Sequence, residues 1–274
     1  MELSKKICNM NDKKAIFFDI DGTLRSPVIG IPKSAKEGIK KLKENGHLVF
    51  LCTGRTKAML LDELNEMAFD GIIAGAGTYV EYRGRELYRW ELEEDETMRA
   101  AKKLREYGFV PVPEGHDVFY LEPEGTWTKE YKMIYDHFYY NVGGELKTIP
   151  PEDKGIKAAK ISAVISKDSD IEAARKYFQS DYLVVIHGGL LLELIPKGFS
   201  KAEGIKLILD DLDIKQENTY GFGDSMNDYE MLEYVKYGVA MGRSDDQLKA
   251  IAAYVTDTVE NDGVYKALEK YELI

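Results

Sequence analysis

The 274-residue chain predicts an α/β protein: a doubly wound, parallel-sheet, Rossmann-like core interrupted by an inserted α+β domain. Three observations carry that expectation. Short apolar strands alternate with amphipathic helices at both ends of the chain, and the alternation breaks between residues 84 and 195. The strand ends of the two flanking halves also carry carboxylates, where open α/β sheets place their sites.

Lys14-Ala15-Ile16-Phe17-Phe18 reads as a buried strand running into Asp19-Ile20-Asp21-Gly22-Thr23-Leu24. A helix is expected from Ser34 as N-cap to about Asn45, with Ala35, Ile39 and Leu42 on one face and Gly46 as its stop. His47-Leu48-Val49-Phe50-Leu51-Cys52 is a second strand, ending at Thr53-Gly54-Arg55. A helix over 57–67 and a strand over 71–74 complete half of a doubly wound domain. From 84 to 195 the pattern offers helices near 96–107, 128–139 and 171–179, with strands over 118–121, 159–165, 183–186 and 190–195. That alternation predicts a sheet with its helices on one face. At Ser200 the first rhythm returns. Ser200-Lys201-Ala202-Glu203 is a capping box opening a helix striped by Ile205, Leu207, Ile208 and Leu212. A strand over 219–223, a helix over 226–237, a strand over 238–241 and helices over 246–253 and 264–273 follow. The expected division is therefore a core of 1–83 and 196–274, with an α+β insertion of 84–195.

Composition narrows the function. With 44% hydrophobic and 31% charged residues the chain is ordinary for a globular protein. A net charge of −11 argues against nucleic acid as partner, and no apolar run is long enough to span a bilayer. The opening Met1-Glu2-Leu3-Ser4-Lys5-Lys6 lacks the apolar stretch of a secretory signal, so a cytoplasmic location is expected. Cys8 and Cys52 are too few for a disulfide framework or a CxxC metal site and read as buried small apolar side chains. Nothing in the patterning specifies an oligomeric state.

The chemistry gathers at the strand ends: Asp19 and Asp21 after the first strand, Thr53 after the second, Lys201 at a helix start, and Asp224 after the strand over 219–223. If those ends are neighbours, several carboxylates share a small cleft with one lysine. Such a cluster repels phosphate unless a cation is present, and donors that are all hard oxygens select Mg²⁺ over zinc. Taken singly each residue has a plainer use. Asp21-Gly22 could be a turn, Lys201 a solvated helix residue, and Asp224, Ser225 and Asp228 a helix cap. Together, their order and spacing ask for more than coincidence.

Asp-Ile-Asp-Gly-Thr-Leu, Leu-Cys-Thr-Gly-Arg, Lys201 and Gly223-Asp224-Ser225-Met226-Asn227-Asp228 resemble, in order, the four motifs of the haloacid dehalogenase superfamily. The long insertion between the second and third resembles the C2-type cap of its Cof-type hydrolases. Val239-Ala240-Met241-Gly242 and Asn261-Asp262-Gly263-Val264 extend the likeness to the C-terminus. The resemblance implies a Mg²⁺-dependent phosphatase that hydrolyses small phosphorylated metabolites, such as sugar phosphates or phosphorylated cofactors, through an aspartyl phosphate. It makes Asp19 the nucleophile and Asp21 the general acid, then the base. Thr53, Gly54, Lys201 and Asn227 would hold phosphate. Asp19, the backbone carbonyl of Asp21 and Asp224 would hold the metal, supported by Asp228 and Ser225. Two departures, Ala76 where an Asn-Gly pair is frequent and Arg243 where Asn is frequent, lie outside the core motifs and are expected to alter the rim of the cleft.

Competing readings fare less well. A phosphomutase would use the same intermediate, but only the short segment 25–33 separates the first motif from the next helix, which leaves no room for the helical cap of many mutases. A non-catalytic phosphometabolite sensor needs no paired nucleophile and acid. Gly75-Ala76-Gly77-Thr78 mimics a dinucleotide loop but leads into a strand rather than a helix. His47, His116, His137 and His187 lack metal-ligand spacing, although His116 and His187 fall in the insertion and could touch substrate. Specificity is expected to lie in that insertion.

Overall fold

The structure, a computed structural model, describes residues 13–136, 142–150 and 154–274. Cys8, His137 and the end of the helix expected over 128–139 lie outside the described residues. Numbered in chain order, β1 (Ala15–Phe18) is buried at every position, as a strand covered on both faces must be. Its side chains alternate between two layers. Ile16 and Phe18 join Ile39, Leu42 and Leu268 in one core, whereas Ala15 and Phe17 join Ile205, Ile208 and Met231 in the other. The first layer is closed by α1 (Lys33–Glu44) and α8 (Gly263–Lys270). The second is closed by α5 (Lys201–Leu212), α6 (Tyr229–Tyr234) and α7 (Asp246–Ile251).

Around β1 the sheet runs β14-β13-β12-β1-β2-β3-β4-β5. The strands are β2 (Leu48–Cys52), β3 (Gly71–Ala74), β4 (Tyr79–Tyr82), β5 (Arg85–Arg89), β12 (Thr219–Gly223), β13 (Tyr237–Ala240) and β14 (Tyr254–Val255). From β14 to β3 every pair is parallel, and β4 and β5 add antiparallel strands at one edge. Phe17 stacks on Phe50 and Phe18 on Phe222, fixing the central three strands on both faces. The α/β core expected from the two ends of the chain is thus one sheet, and β1, β2 and β12 deliver Asp19, Thr53 and Asp224 at adjacent strand ends.

A second sheet has the order β10-β11-β9-β6-β7-β8. It comprises β6 (Val110–Glu114), β7 (Val118–Leu121), β8 (Glu145–Thr148), β9 (Lys160–Val164), β10 (Tyr182–His187) and β11 (Leu191–Pro196). Ile161, Ala163, Leu192 and Leu194 turn one face onto α2 (Glu94–Glu106) and α4 (Ile171–Phe178). The helices do not all share that face. Tyr131 and Ile134 of α3 (Lys129–Ile134) pack with Val112, Phe119, Leu121 and Val164 on the opposite one. The chain crosses between sheets after β5, which the expected boundary at residue 84 had assigned to the insertion but whose ladder is with β4. Trp90 and Phe199, one on each crossing, meet with ring centroids 4.6 Å apart.

Other local expectations are corrected. Ser34 is not an N-cap: α1 starts at Lys33 after Pro32, and the Ser34 hydroxyl donates to Asp262. The helix expected over 57–67 is two 3-10 turns, Lys57–Met59 and Asp62–Met67, because its apolar residues serve different cores. Ala58 and Met59 pack into the second sheet, while Leu61, Leu64 and Met67 pack under the first. In α5, Leu209 is buried and Leu207 is exposed, so the stripe follows 205, 208, 209. The helix expected over 226–237 is a 3-10 turn, Met226–Asp228, followed by α6, which ends at Tyr234. Among the described residues no helix is long and apolar enough to cross a membrane.

Candidate active site

Asp19 leaves β1 with its N–H donating to the Phe222 carbonyl at 3.0 Å, a last rung of the β1–β12 ladder. The chain then turns tightly, with Arg25 N–H donating to Ile20 O at 2.8 Å and Gly22 N–H to Arg25 O at 2.8 Å. Gly22 has a φ of +92°, and a Cβ there would run into the Asp224 carboxylate. A side chain is therefore excluded twice, by conformation and by space.

Lys201 is the first residue of α5, whose N-cap Ser200 accepts from Glu203 N–H. Its side chain is fully buried and its ammonium donates to Asp19 Oδ1 at 2.7 Å and to Asp228 Oδ1. The other Asp228 oxygen accepts from the backbone N–H groups of Asp224 (3.0 Å) and Ser225 (3.1 Å), so both Asp228 oxygens are committed. Asn227 Oδ1 accepts from Ser225 Oγ at 2.8 Å and faces Lys201 at 3.4 Å. Thr53 Oγ1 accepts from Arg55 N–H at 3.1 Å, and Gly54 lets the backbone pass close to the Asn227 amide.

Asp19, Asp224 and Asp228 bring one oxygen each to within 4.8 Å of one another. Burial drives the Asp19 carboxyl well up, against the pull of Lys201, and Asp228 and Asp224 add to the rise. Burial and Asp228 likewise push Asp224 up to about 7. Its Oδ1 is buried with no hydrogen bond reaching it. An orphaned carboxylate oxygen beside a second buried carboxylate is what a hard divalent cation relieves. Asp21, by contrast, faces the open cavity. What burial it has raises its carboxyl, but the bidentate Arg55 guanidinium (2.6 and 3.0 Å) and then Arg25 outweigh this and hold it below the usual range.

These groups line the floor of a cavity of about 440 Å³ whose roof is the second sheet. Asp19, Asp21, Thr53, Gly54, Asp224, Ser225 and Asn227 border it, while Lys201 and Asp228 stand behind. The sequence reading attached no function to Arg55, Arg25, Glu114, Lys160 or Glu193, all of which border it too. A lone lysine in the apolar run Ala158-Ala159-Lys160-Ile161-Ser162-Ala163 was the available signal. His187 borders the cavity, whereas His116 is buried at the crossing, where its ring meets the Trp90 carbonyl at 3.2 Å. The Gly75–Gly77 turn leads into β4 rather than a helix, and it abuts Ser200 and so buttresses the start of α5.

The chain belongs to the haloacid dehalogenase-like hydrolases, whose family profile matches residues 16–268, and it is a phosphatase of that superfamily. YkrA of Bacillus subtilis (strain 168), named a phosphatase by inference, is 34% identical over 266 residues, covering 96% of this chain and 99% of its own. The 5-amino-6-(5-phospho-D-ribitylamino)uracil phosphatase YitU of the same organism is 29% identical over 276 residues, covering 93% and 96%. Among solved structures, a subclass IIB sugar phosphatase of the superfamily superposes with a TM-score of 0.82 at 29% identity, over 96% of this chain and 100% of its own.

Proposed function

We propose that the protein hydrolyses small phosphorylated metabolites in a Mg²⁺-dependent reaction, through an aspartyl phosphate formed on Asp19. The observation that carries the reading is the pairing of a lysine-held Asp19 with the unpartnered, buried oxygen of Asp224 at the floor of the cavity. Both Asp228 oxygens are already used, so Asp19 and Asp224 are the carboxylates with capacity for a cation, and by the family resemblance the backbone carbonyl of Asp21 would join them. When bound, Mg²⁺ supplies positive charge that offsets the carboxylates and the phosphate oxygens.

A carboxylate needs no activating base at neutral pH, and Lys201 fixes the orientation of Asp19 for attack on phosphorus. As the Asp19 O–P bond forms, the ester P–O bond breaks and the leaving oxygen takes a proton from Asp21. The Thr53 hydroxyl, the Gly54 N–H and the Asn227 amide would hold the phosphate oxygens from the cavity wall, with the charge of Lys201 close behind them. Asp21 then takes a proton from the water that attacks phosphorus, releasing inorganic phosphate and restoring Asp19. Its pair with Arg55 keeps Asp21 ionised, which suits the second step as it stands. For the first step an arriving phosphate competes for Arg55 and raises the carboxyl, letting it hold a proton.

A panel of phosphate monoesters assayed in Mg²⁺ and in EDTA tests the reading. Turnover is expected only with the metal, and Asp19→Asn is expected to lower it by roughly 10⁴-fold or more with an unchanged circular dichroism spectrum. Substantial hydrolysis in EDTA, or by the folded variant, would overturn the mechanism.

A further inference from the structure

The roof of the cavity is as charged as its floor, and the proposed mechanism uses none of it. Along β6, β9, β11 and β10, the face of the second sheet turned away from α2 and α4 carries Glu114, Lys160, Glu193 and His187. Glu114 and Lys160 are cross-strand partners, Glu193 lies one strand further, and His187 one strand beyond that. They form a continuous chain of contacts. Lys160 Nζ sits 3.5 Å from Glu114 and donates to Glu193 Oε1, and the other Glu193 oxygen meets His187 Nε2 at 2.9 Å. Glu114 and Lys160 are buried. Such a pair is an expensive way to fill a sheet that apolar residues would hold as well, so a role in recognition is the better account.

Two features say what the roof recognises. Its lysine is already committed to two carboxylates, Arg25 below pairs with Glu63 and Asp21, and Arg55 pairs with Asp21 or, once substrate is bound, with the reacting phosphate, so a second anion on the substrate would face Glu114 and Glu193 with no unpaired cation among the described residues around it. Moreover, no Phe, Tyr or Trp is among the described residues bordering the cavity, so a flat heteroaromatic group finds no such ring to stack on. Alternating donors and acceptors suit hydroxyl groups, which do both. We propose that this chain of charges is a filter that admits an uncharged polyhydroxylated leaving group and rejects one carrying a second anion, with Glu193 as the determining residue. The proposal rests on the phosphatase reading above and refines it to a substrate class.

Sorbitol 6-phosphate and gluconate 6-phosphate differ only in a terminal hydroxymethyl against a carboxylate. The wild-type enzyme with Mg²⁺ is expected to favour the former in kcat/KM by at least about tenfold. Glu193→Gln should compress that ratio to about threefold or less by raising the rate on the gluconate ester. His187→Asn, at an exposed position, removes the partner that partly offsets Glu193 and should widen it. A ratio near unity in wild type, or one unmoved by both variants, overturns the filter while leaving the phosphatase intact. Absence of Mg²⁺-dependent hydrolysis of any ester, p-nitrophenyl phosphate included, overturns the phosphatase reading and this assignment with it.

Discussion

Asp19 and Asp21 stand two residues apart, yet their surroundings push them in opposite directions. Burial among Asp228 and Asp224 raises the first, whereas Arg55 pulls down the second. Two carboxylates driven apart in this way are suited to different tasks. If Asp21 is the acid, its loss should matter most where the leaving oxygen is a poor leaving group. Asp21→Asn is therefore expected to slow phosphoryl transfer from a sugar phosphate by about 10²–10⁴-fold, and from p-nitrophenyl phosphate far less. The same variant lacks the base for the second step, so the aryl ester should give a burst and then stall. Rapid-quench kinetics reads both effects, and equal slowing of the two esters without a burst would mean that another group is the acid.

At the scale of elements, the turn Gly75–Gly77 links the sheet to the helix that carries Lys201. Gly77 has a φ of +98°, and a Cβ there would strike the carbonyl of Ser200. Gly77→Ala is expected to cost about 1–3 kcal/mol of stability and to lower turnover by displacing Lys201. Thermal denaturation paired with kcat measures the two together, and a variant as stable and active as the parent would show the contact to be slack. This contact was invisible in the sequence, where the same glycines suggested only a failed nucleotide loop. What was legible followed from repetition along the chain: the parallel strands, the capped start of α5, and Asp19, Asp21, Thr53, Lys201 and Asp224 at their ends. β6 was missed because Pro111 and Pro113 speak against a central strand. The topology accommodates them, since β6 pairs along its length with β9 but meets β7 only at Glu114 and Phe119. β5 was missed because Arg85–Arg89 is an edge strand with charged, exposed positions and no alternation to read. Lys160 and Glu193 were missed because a strand pattern shows that a charge interrupts it, not which cavity the interrupted face closes.

For the molecule as a whole, the carboxylate cluster should tie folding stability to pH and to metal. In the metal-free protein Asp224 is held near 7 against an ordinary value of 3.8. Between those values the folded state binds the proton that the unfolded state has released, so stability falls as pH rises through the window. Asp19 is raised too and acts in the same sense. His116 opposes them. Burial lowers its imidazole to about 4, so the unfolded state binds more protons below the ordinary histidine value and stability rises with pH there. The raw melting curve therefore mixes opposite slopes, and the informative quantity is the difference between wild type and Asp224→Asn, which share His116. In EDTA, wild type is expected to lose stability relative to the variant as pH rises from about 4 to about 7. In saturating Mg²⁺ the sign should reverse, because the cation binds the ionised carboxylate and competes with the proton. Thermal melts of both proteins at pH 5 and 7.5, with EDTA and with Mg²⁺, decide the matter without an activity assay. Parallel curves in EDTA would show that Asp224 carries no strain, and equal stabilisation of both proteins by Mg²⁺ would place the cation elsewhere.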